Sequence, residues 1–166
     1  MMDDVTWQIA PNEGLLPVRF GDTPDAVAAL PGMPVVERSV PQFGGGVTEQ
    51  RGPLVPSIGY AEGVVTYIAA VADVPRVRFG ELDIFAAPPN EVLAALEEAN
   101  GAPPGLTFDT LEFVALNVSC TGYYFPREDR LFDRDRDDQD DRVMILRAPG
   151  TRVVVPGVDP VPISFL

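Results

Sequence analysis

Histidine and lysine are absent from this 166-residue chain, and cysteine occurs once, as Cys120. Without histidine or lysine, the chain cannot form a histidine-containing catalytic triad, a Schiff-base lysine, a lysine phosphate loop or a histidine-liganded metal site. A single cysteine excludes an internal disulfide and a multi-cysteine zinc site. These absences disfavour an enzyme, and we expect a protein that acts by binding, without a cofactor or a metal.

Long hydrophobic runs are also missing. No stretch reaches the roughly 18 apolar residues of a membrane-spanning helix. The longest apolar run, around residues 63–72, is short and β-branched, which is typical of a buried strand. The first ten residues are acidic, whereas a secretory signal begins with basic residues. Together with the single cysteine, these features predict a cytoplasmic location.

Negative charge is what the chain has in excess. There are 25 acidic residues against 12 basic ones, all arginine, and the net charge is −13. Such a surface repels nucleic acid and anionic membranes, so we expect neither as a partner, whereas it attracts basic proteins. An acidic chain without lysine is also typical of a GC-rich genome or a salt-adapted organism. Two interpretations of the acidity therefore remain open, namely recognition of a basic partner and the composition of the genome or habitat.

The 18 prolines restrict helices to two short segments. One is predicted at residues 23–30, after a threonine N-cap, and the other at residues 89–100, which open with a proline and end before Gly101. The remaining segments predict strands, listed here by range: 5–9, 35–40, 46–51, 57–61, 64–71, 111–117, 118–125, 142–147 and 152–155. The fold class is therefore α+β, with two short helices packed on a mainly antiparallel sheet.

The two predicted helices belong to an internal repeat. Residues 18–30 align with residues 83–95, and the aligned pairs are Phe20 with Phe85, Pro24 with Pro89 and Val27 with Val92. One helix on a few strands buries little apolar surface, but two such units side by side share a core. The chain is therefore predicted to form a single domain, 1–166, with structural repeats at 14–80 and 81–155.

The segment PVRFGDTPDAV, residues 17–27, resembles a known bacterial module. In that module a strand ending in Phe-Gly leads into a helix opened by Thr-Pro. The chain resembles the outer-membrane assembly small lipoprotein family, the β-lactamase-inhibitor protein family, in which the module is duplicated, and uncharacterised immunity-type proteins of GC-rich bacteria. The resemblance covers residues 14–72 and, more loosely, 81–148. It implies an α+β fold and a protein-binding role rather than a reaction, although this sequence has no lipidated cysteine near its start.

Residues 126–141, PREDRLFDRDRDDQDD, form the most charged segment, called the acidic loop below. It contains eight acids and four arginines. The first repeat turns through Glu62-Gly63 at the corresponding place, so the loop is predicted to be an insertion at a hairpin tip. We expect it to be exposed, mobile without a partner and unnecessary for folding, because so many acids cannot be buried. The candidate partner-binding residues are acids that attract a basic protein and two apolar residues expected to be exposed anchors: Glu128, Asp129, Leu131, Phe132, Asp133, Asp135, Asp137, Asp138, Asp140 and Asp141.

Other interpretations of these residues remain open. One alternative is that the acidic loop is a solvated segment that binds no partner. Asp133, Asp135 and Asp137 occupy the first, third and fifth positions of an EF-hand-like calcium loop, but its sixth position is Asp138 instead of glycine. Cys120 lies in an apolar run and is expected to be a buried core thiol.

Taken together, the sequence favours a cytoplasmic binding protein that recognises a basic protein. The most concrete form is an immunity-type inhibitor that masks a basic toxin or enzyme. One alternative is a stand-alone structural or regulatory domain whose acidity reflects genome or salt habitat. Another is a small-ligand-binding domain or an unusual hydrolase. The sequence leaves the oligomeric state open.

Overall fold

The structure is a computed structural model that describes residues 4–42, 44–151 and 156–166. The candidate strand at residues 152–155 lies outside the described residues. The described strands, in chain order, are β1 (Trp7–Ala10), β2 (Gly14–Leu16), β3 (Val18–Arg19), β4 (Arg38–Pro41), β5 (Val47–Gln50), β6 (Ser57–Ala61), β7 (Val64–Val71), β8 (Val77–Phe79), β9 (Leu82–Asp83), β10 (Gly105–Thr107), β11 (Thr110–Phe113), β12 (Val118–Thr121), β13 (Tyr124–Phe125), β14 (Arg130–Leu131), β15 (Val143–Arg147) and β16 (Val161–Pro162).

Both predicted helices are confirmed, as α1 (Pro24–Ala28) and α2 (Pro89–Asn100). The hydroxyl of Thr23 accepts a hydrogen bond from the Ala26 N–H at 3.2 Å, which caps α1 as the sequence predicts. Helix α2 ends where Gly101 adopts a left-handed φ of 74°. Within the described residues, no helix is long and apolar enough to cross a membrane.

A nine-stranded sheet runs in the order β16-β10-β11-β12-β15-β7-β6-β5-β4 and is antiparallel throughout. We call it the large sheet. Its β6–β7 hairpin has the predicted ranges and the predicted turn through Glu62-Gly63. A second sheet has the order β3-β2-β1-β8-β9, and its β1–β8 pair is parallel. The prediction of a mainly antiparallel α+β fold is confirmed, and strands of both predicted repeats lie in the large sheet, whereas the second, smaller sheet was not predicted.

The core lies on one face of the large sheet. Leu111, Cys120, Met144 and Ala70 lie in register on four adjacent strands, and all four are buried. The buried residues of both helices and of the second sheet belong to the same hydrophobic cluster. The apolar residues that the helices bury are Val27, Val92, Leu93 and Leu96. Both helices therefore pack into one core, as the sequence predicts.

The predicted duplication is compatible with the strand order of the large sheet. Strands β10, β11, β12 and β15 mirror strands β4, β5, β6 and β7 about the central β15–β7 pair. The two aligned phenylalanines differ, however, because Phe85 is buried and Phe20 is only half-buried. The duplication therefore stays a prediction.

Candidate partner-binding site

The acidic loop is part of a folded insertion. Thr121 of β12 and Val143 of β15 are paired in register, so the insertion spans residues 122–142 and is longer than predicted. Inside it, β13 and β14 form a two-stranded hairpin. A turn follows, in which the Asp137 N–H donates to the Asp133 carbonyl at 2.8 Å. The segment thus has its own backbone hydrogen bonds, which contradicts the picture of a structureless loop.

Arg142 fastens the end of the insertion to the core. The residue is only 1% exposed, and its guanidinium donates to the two carboxylate oxygens of Asp140 at 2.8 Å each. It also donates to the Phe85 carbonyl at 2.7 Å and lies 4.2 Å from the ring centroid of Phe132. A buried cation is tolerated only with such partners, and here one carboxylate, one carbonyl and three aromatic rings supply them.

Arg130 organises the middle of the acidic loop. Its guanidinium donates to both carboxylate oxygens of Asp137, at 3.0 and 2.7 Å, and to Glu128 at 2.9 Å. The same group lies 4.6 Å from the ring centroid of Phe125. The hydrogen bonds from Arg130 and from the Asp133 N–H lower the pKa of Asp137 to about 2. Asp137 therefore stabilises the loop from within.

The two predicted apolar anchors are not exposed. Phe132 is 6% exposed, and its N–H donates to the Tyr123 carbonyl at 2.9 Å. Leu131 is half-buried, lies in β14 and packs against the core. The expectation of exposure was wrong because the insertion needs apolar contacts of its own to fold back on the protein. The same contacts argue against the expectation that the loop is mobile and unnecessary for folding.

Most of the predicted acidic residues are exposed, as expected. Of the eight acids, Asp137 is half-buried, and the exposed ones are Glu128, Asp129, Asp133, Asp135, Asp138, Asp140 and Asp141. Some of them also accept hydrogen bonds within the insertion. Asp129 accepts from the Tyr124 hydroxyl at 2.7 Å, and Asp133 accepts from the Asp135 N–H at 3.0 Å. The structure therefore presents a dense set of carboxylates on a folded support.

The calcium interpretation gains no geometric support. The candidate ligand Asp137 is held by Arg130 on both of its oxygens. Among the described residues, no group of three or more His, Cys, Asp and Glu side chains is arranged to hold a metal ion. Arg130 thus uses a carboxylate that a cation would need.

An apolar groove borders the acidic loop, and sequence reasoning missed it. The groove has a volume of about 710 Å³. Its lining residues are Phe108, Asp109, Phe125, Pro126, Arg127 and Glu128. Phe108 is 78% exposed and sits in the two-residue turn between β10 and β11. The sequence signal that could have indicated the groove is the aromatic residue Phe108 at a hairpin tip.

Cys120 is fully buried, as predicted from its apolar run. Burial raises the pKa of the Cys120 thiol well above its usual value, because the charged thiolate is disfavoured without water. A thiol in this environment is a packing residue and not a nucleophile.

The face of the large sheet opposite the core is a second surface. There Arg147 lies in register with Tyr67, with its guanidinium 5.5 Å from the Tyr67 ring centroid. Small side chains flank this pair, including Ala69 and Ser57, and the depression over them has a volume of about 490 Å³. The surface is polar but is not strongly acidic.

Comparisons with protein-family models, with curated proteins and with solved structures found no match. The resemblance to the lipoprotein, inhibitor and immunity-type families thus remains a prediction from residues 17–27.

Proposed function

We propose that this protein binds a basic protein partner through the acidic loop and acts as an immunity-type inhibitor. The observation that carries the proposal is the excess of exposed negative charge on the acidic loop. Seven of the eight carboxylates of the acidic loop are exposed, against three of its four arginines, while Arg130 is engaged with Asp137. The loop therefore shows its partner mostly negative charge.

The electrostatics favour fast association with a cationic surface. Four arginines against eight acids leave the loop with a net charge of −4, on a chain of net charge −13. A field of one sign raises the rate of diffusional encounter with an oppositely charged partner. Because the charges are exposed, salt screens them, with a Debye length of about 10 Å at 0.1 M ionic strength. The association rate should therefore depend strongly on salt.

The folded state of the insertion reduces the entropic cost of binding. A disordered loop loses conformational freedom when it docks, and this loss weakens the complex. Here Arg130, Arg142 and Phe132 hold the loop in one shape before any partner arrives. The loop carries eight carboxylates within 16 residues, so their mutual repulsion costs free energy in the isolated protein. A basic partner would relieve that repulsion.

An inhibitory role is the finer part of the proposal. Enzymes that act on nucleic acid bind their substrate in basic clefts, since phosphate contacts dominate the affinity. An acidic protein that fills such a cleft blocks access for the substrate. The cytoplasmic location predicted from the sequence would place the inhibitor beside such a toxin in the producing cell.

The test begins with capture of a partner on the immobilised protein from an extract of the source organism. The loop variant combines Asp133→Asn, Asp135→Asn, Asp138→Asn and Asp141→Asn, all at exposed positions. The matched control removes four exposed charges elsewhere through Glu13→Gln, Glu62→Gln, Asp73→Asn and Glu98→Gln. Each captured protein is then purified, and its association kinetics are measured at low and high salt.

We expect the loop variant to associate at least about tenfold more slowly than the control variant at low salt, and the difference to fade at high salt. Equal rates for the two variants would show that the acidity reflects composition. Inhibition is tested separately, by measuring the activity of the purified partner with and without the protein. An unchanged activity would contradict the inhibitory role and leave the binding role standing.

A further inference from the structure

Among the described residues, Phe108 is the most exposed aromatic side chain, and it lines a groove. It is 78% exposed and has a φ of 55°. A left-handed φ is uncommon for a bulky residue, and a solvated phenyl ring gives no burial energy in return. Folding alone therefore does not explain a phenylalanine at this turn. Aromatic residues, phenylalanine included, are in contrast enriched in protein interfaces.

The groove next to Phe108 combines apolar walls with acidic groups. It lies between the Phe108-Asp109 turn and the start of the acidic loop, and it has a volume of about 710 Å³. Phe108 and Phe125 supply two phenyl rings, and Asp109 and Glu128 supply two carboxylates. A purely apolar guest would leave these carboxylates facing apolar surface, which is unfavourable. A guest with an aliphatic stem and a cationic head satisfies both kinds of group.

Arg130, which does not itself line the groove, contacts two of the residues that do. The guanidinium of Arg130 lies 4.6 Å from the ring centroid of Phe125 and donates to Glu128 at 2.9 Å. Two of the lining residues thus already receive an arginine from within the chain. A planar guanidinium suits this combination better than an ammonium group, because it stacks on a ring and pairs with a carboxylate at the same time.

We propose that the groove between Phe108 and Phe125 receives an arginine side chain of the partner, stacked on Phe108 and paired with Asp109 and Glu128. The inference rests on the proposed function, since it assumes that the partner is basic, and it names the residue type that the partner contributes. Arg127 also lines the groove. Its positive charge opposes a cationic guest, so Arg127→Gln should tighten binding.

The test uses small blocked peptides as probes. Acetyl-Gly-Arg-Gly-amide is titrated into the protein while the aromatic NMR signals of Phe108 and Phe125 are followed. We expect saturable shifts in the millimolar range, and about threefold weaker binding for the lysine peptide. The norleucine peptide, which keeps a stem but lacks charge, should give no saturable shift. Equal binding of the arginine and norleucine peptides would overturn the proposal.

Variants locate the binding. Phe108→Asn removes the ring and places at the turn a residue type that tolerates a left-handed φ. We expect this variant to bind the arginine peptide about fivefold more weakly. Asp109→Asn should weaken it about threefold. Leu54→Asn is the matched control, because Leu54 is also an exposed apolar residue, at 53%, and does not line the groove. Unchanged binding in Phe108→Asn would overturn the proposal.

The two proposals fail in different ways. If the arginine peptide shifts signals throughout the acidic loop and ignores Phe108→Asn, the groove is not the site, although the acidic loop can still steer a basic protein. If the peptide binds the groove but the captured partner associates equally fast with the loop variant and its control, the groove stands and the steering role of the loop is wrong.

Discussion

The two hairpins at the centre of the large sheet differ in how they turn. The β6–β7 hairpin turns through Glu62-Gly63, with φ values of 52° and 80°. The β12–β15 hairpin carries the insertion at residues 122–142, yet its last paired residues, Thr121 and Val143, remain in register. The cost of closing a loop grows slowly with its length, so the sheet tolerates both. The difference teaches that a long insertion must supply its own stabilising contacts.

Those contacts also differ in kind. Near the first hairpin, backbone groups suffice: the Val65 N–H donates to the Asp22 carbonyl at 2.9 Å, and the Val65 carbonyl accepts from Gly21 at 3.0 Å. Near the second hairpin, side chains take part, because the Phe85 carbonyl accepts from both Arg134 and Arg142. The insertion is thus held by arginines. Removing one of them should therefore affect the β12–β15 hairpin and leave the β6–β7 hairpin unchanged.

The largest effect is expected from Arg142→Ala. The change removes the buried packing of Arg142 against three aromatic rings and its hydrogen bonds to Asp140 and the Phe85 carbonyl, so the free energy of unfolding should fall by about 3–5 kcal/mol. Urea unfolding measures it. The control is Arg136→Ala, at an exposed position, which should change stability by less than about 0.5 kcal/mol. Similar losses for both variants would refute the role given to Arg142.

A loss of about 3 kcal/mol is expected from Phe132→Ala, because a buried ring is replaced by a cavity. The matched variant is Phe108→Ala, at the exposed turn, which should stay within about 0.5 kcal/mol of the parent. Both are measured by urea unfolding. If Phe132→Ala were as stable as the parent, the insertion would not contribute to the stability of the fold, as the sequence alone predicts.

A smaller, pH-dependent effect is expected from Asp137→Asn. The pKa of Asp137 is lowered from 3.8 to about 2 in the folded protein, chiefly by the hydrogen bonds from Arg130. The charged carboxylate therefore stabilises the fold above pH 4, and this contribution is lost as the pH falls from about 4 to 2. Unfolding free energies of parent and variant should converge over that range. A difference that is independent of pH would contradict the coupling to Arg130.

The smallest effect concerns the short hairpin. Glu62 has a positive φ, which asparagine tolerates better, and Asn-Gly is the preferred pair for a two-residue turn. We expect Glu62→Asn to raise the unfolding free energy by about 0.5 kcal/mol. Thermal unfolding measures it, and a destabilised variant would show that the Glu62 side chain has a contact that the turn geometry does not reveal.

Local patterns in the sequence determined those helices and turns that are specified by residues close together in the chain. The Thr23 cap, the Pro89 opening and the Glu62-Gly63 turn predicted both helices and one hairpin, because caps and turns depend on neighbouring residues. The strong negative charge and its concentration in the acidic loop are also properties of the sequence. The exposure of most of these acids follows from the cost of burying charge.

Only the tertiary structure decided the features that depend on residues far apart in the chain. The parallel pairing of β1 with β8 joins segments that no local pattern connects. The burial of Phe132 against Arg142, and the use of the Phe85 carbonyl by two arginines, depend on where the insertion folds back. The groove beside Phe108 likewise needs β10–β11 and the acidic loop to be neighbours. Such contacts are long-range, and their energies are realised only once the core has formed.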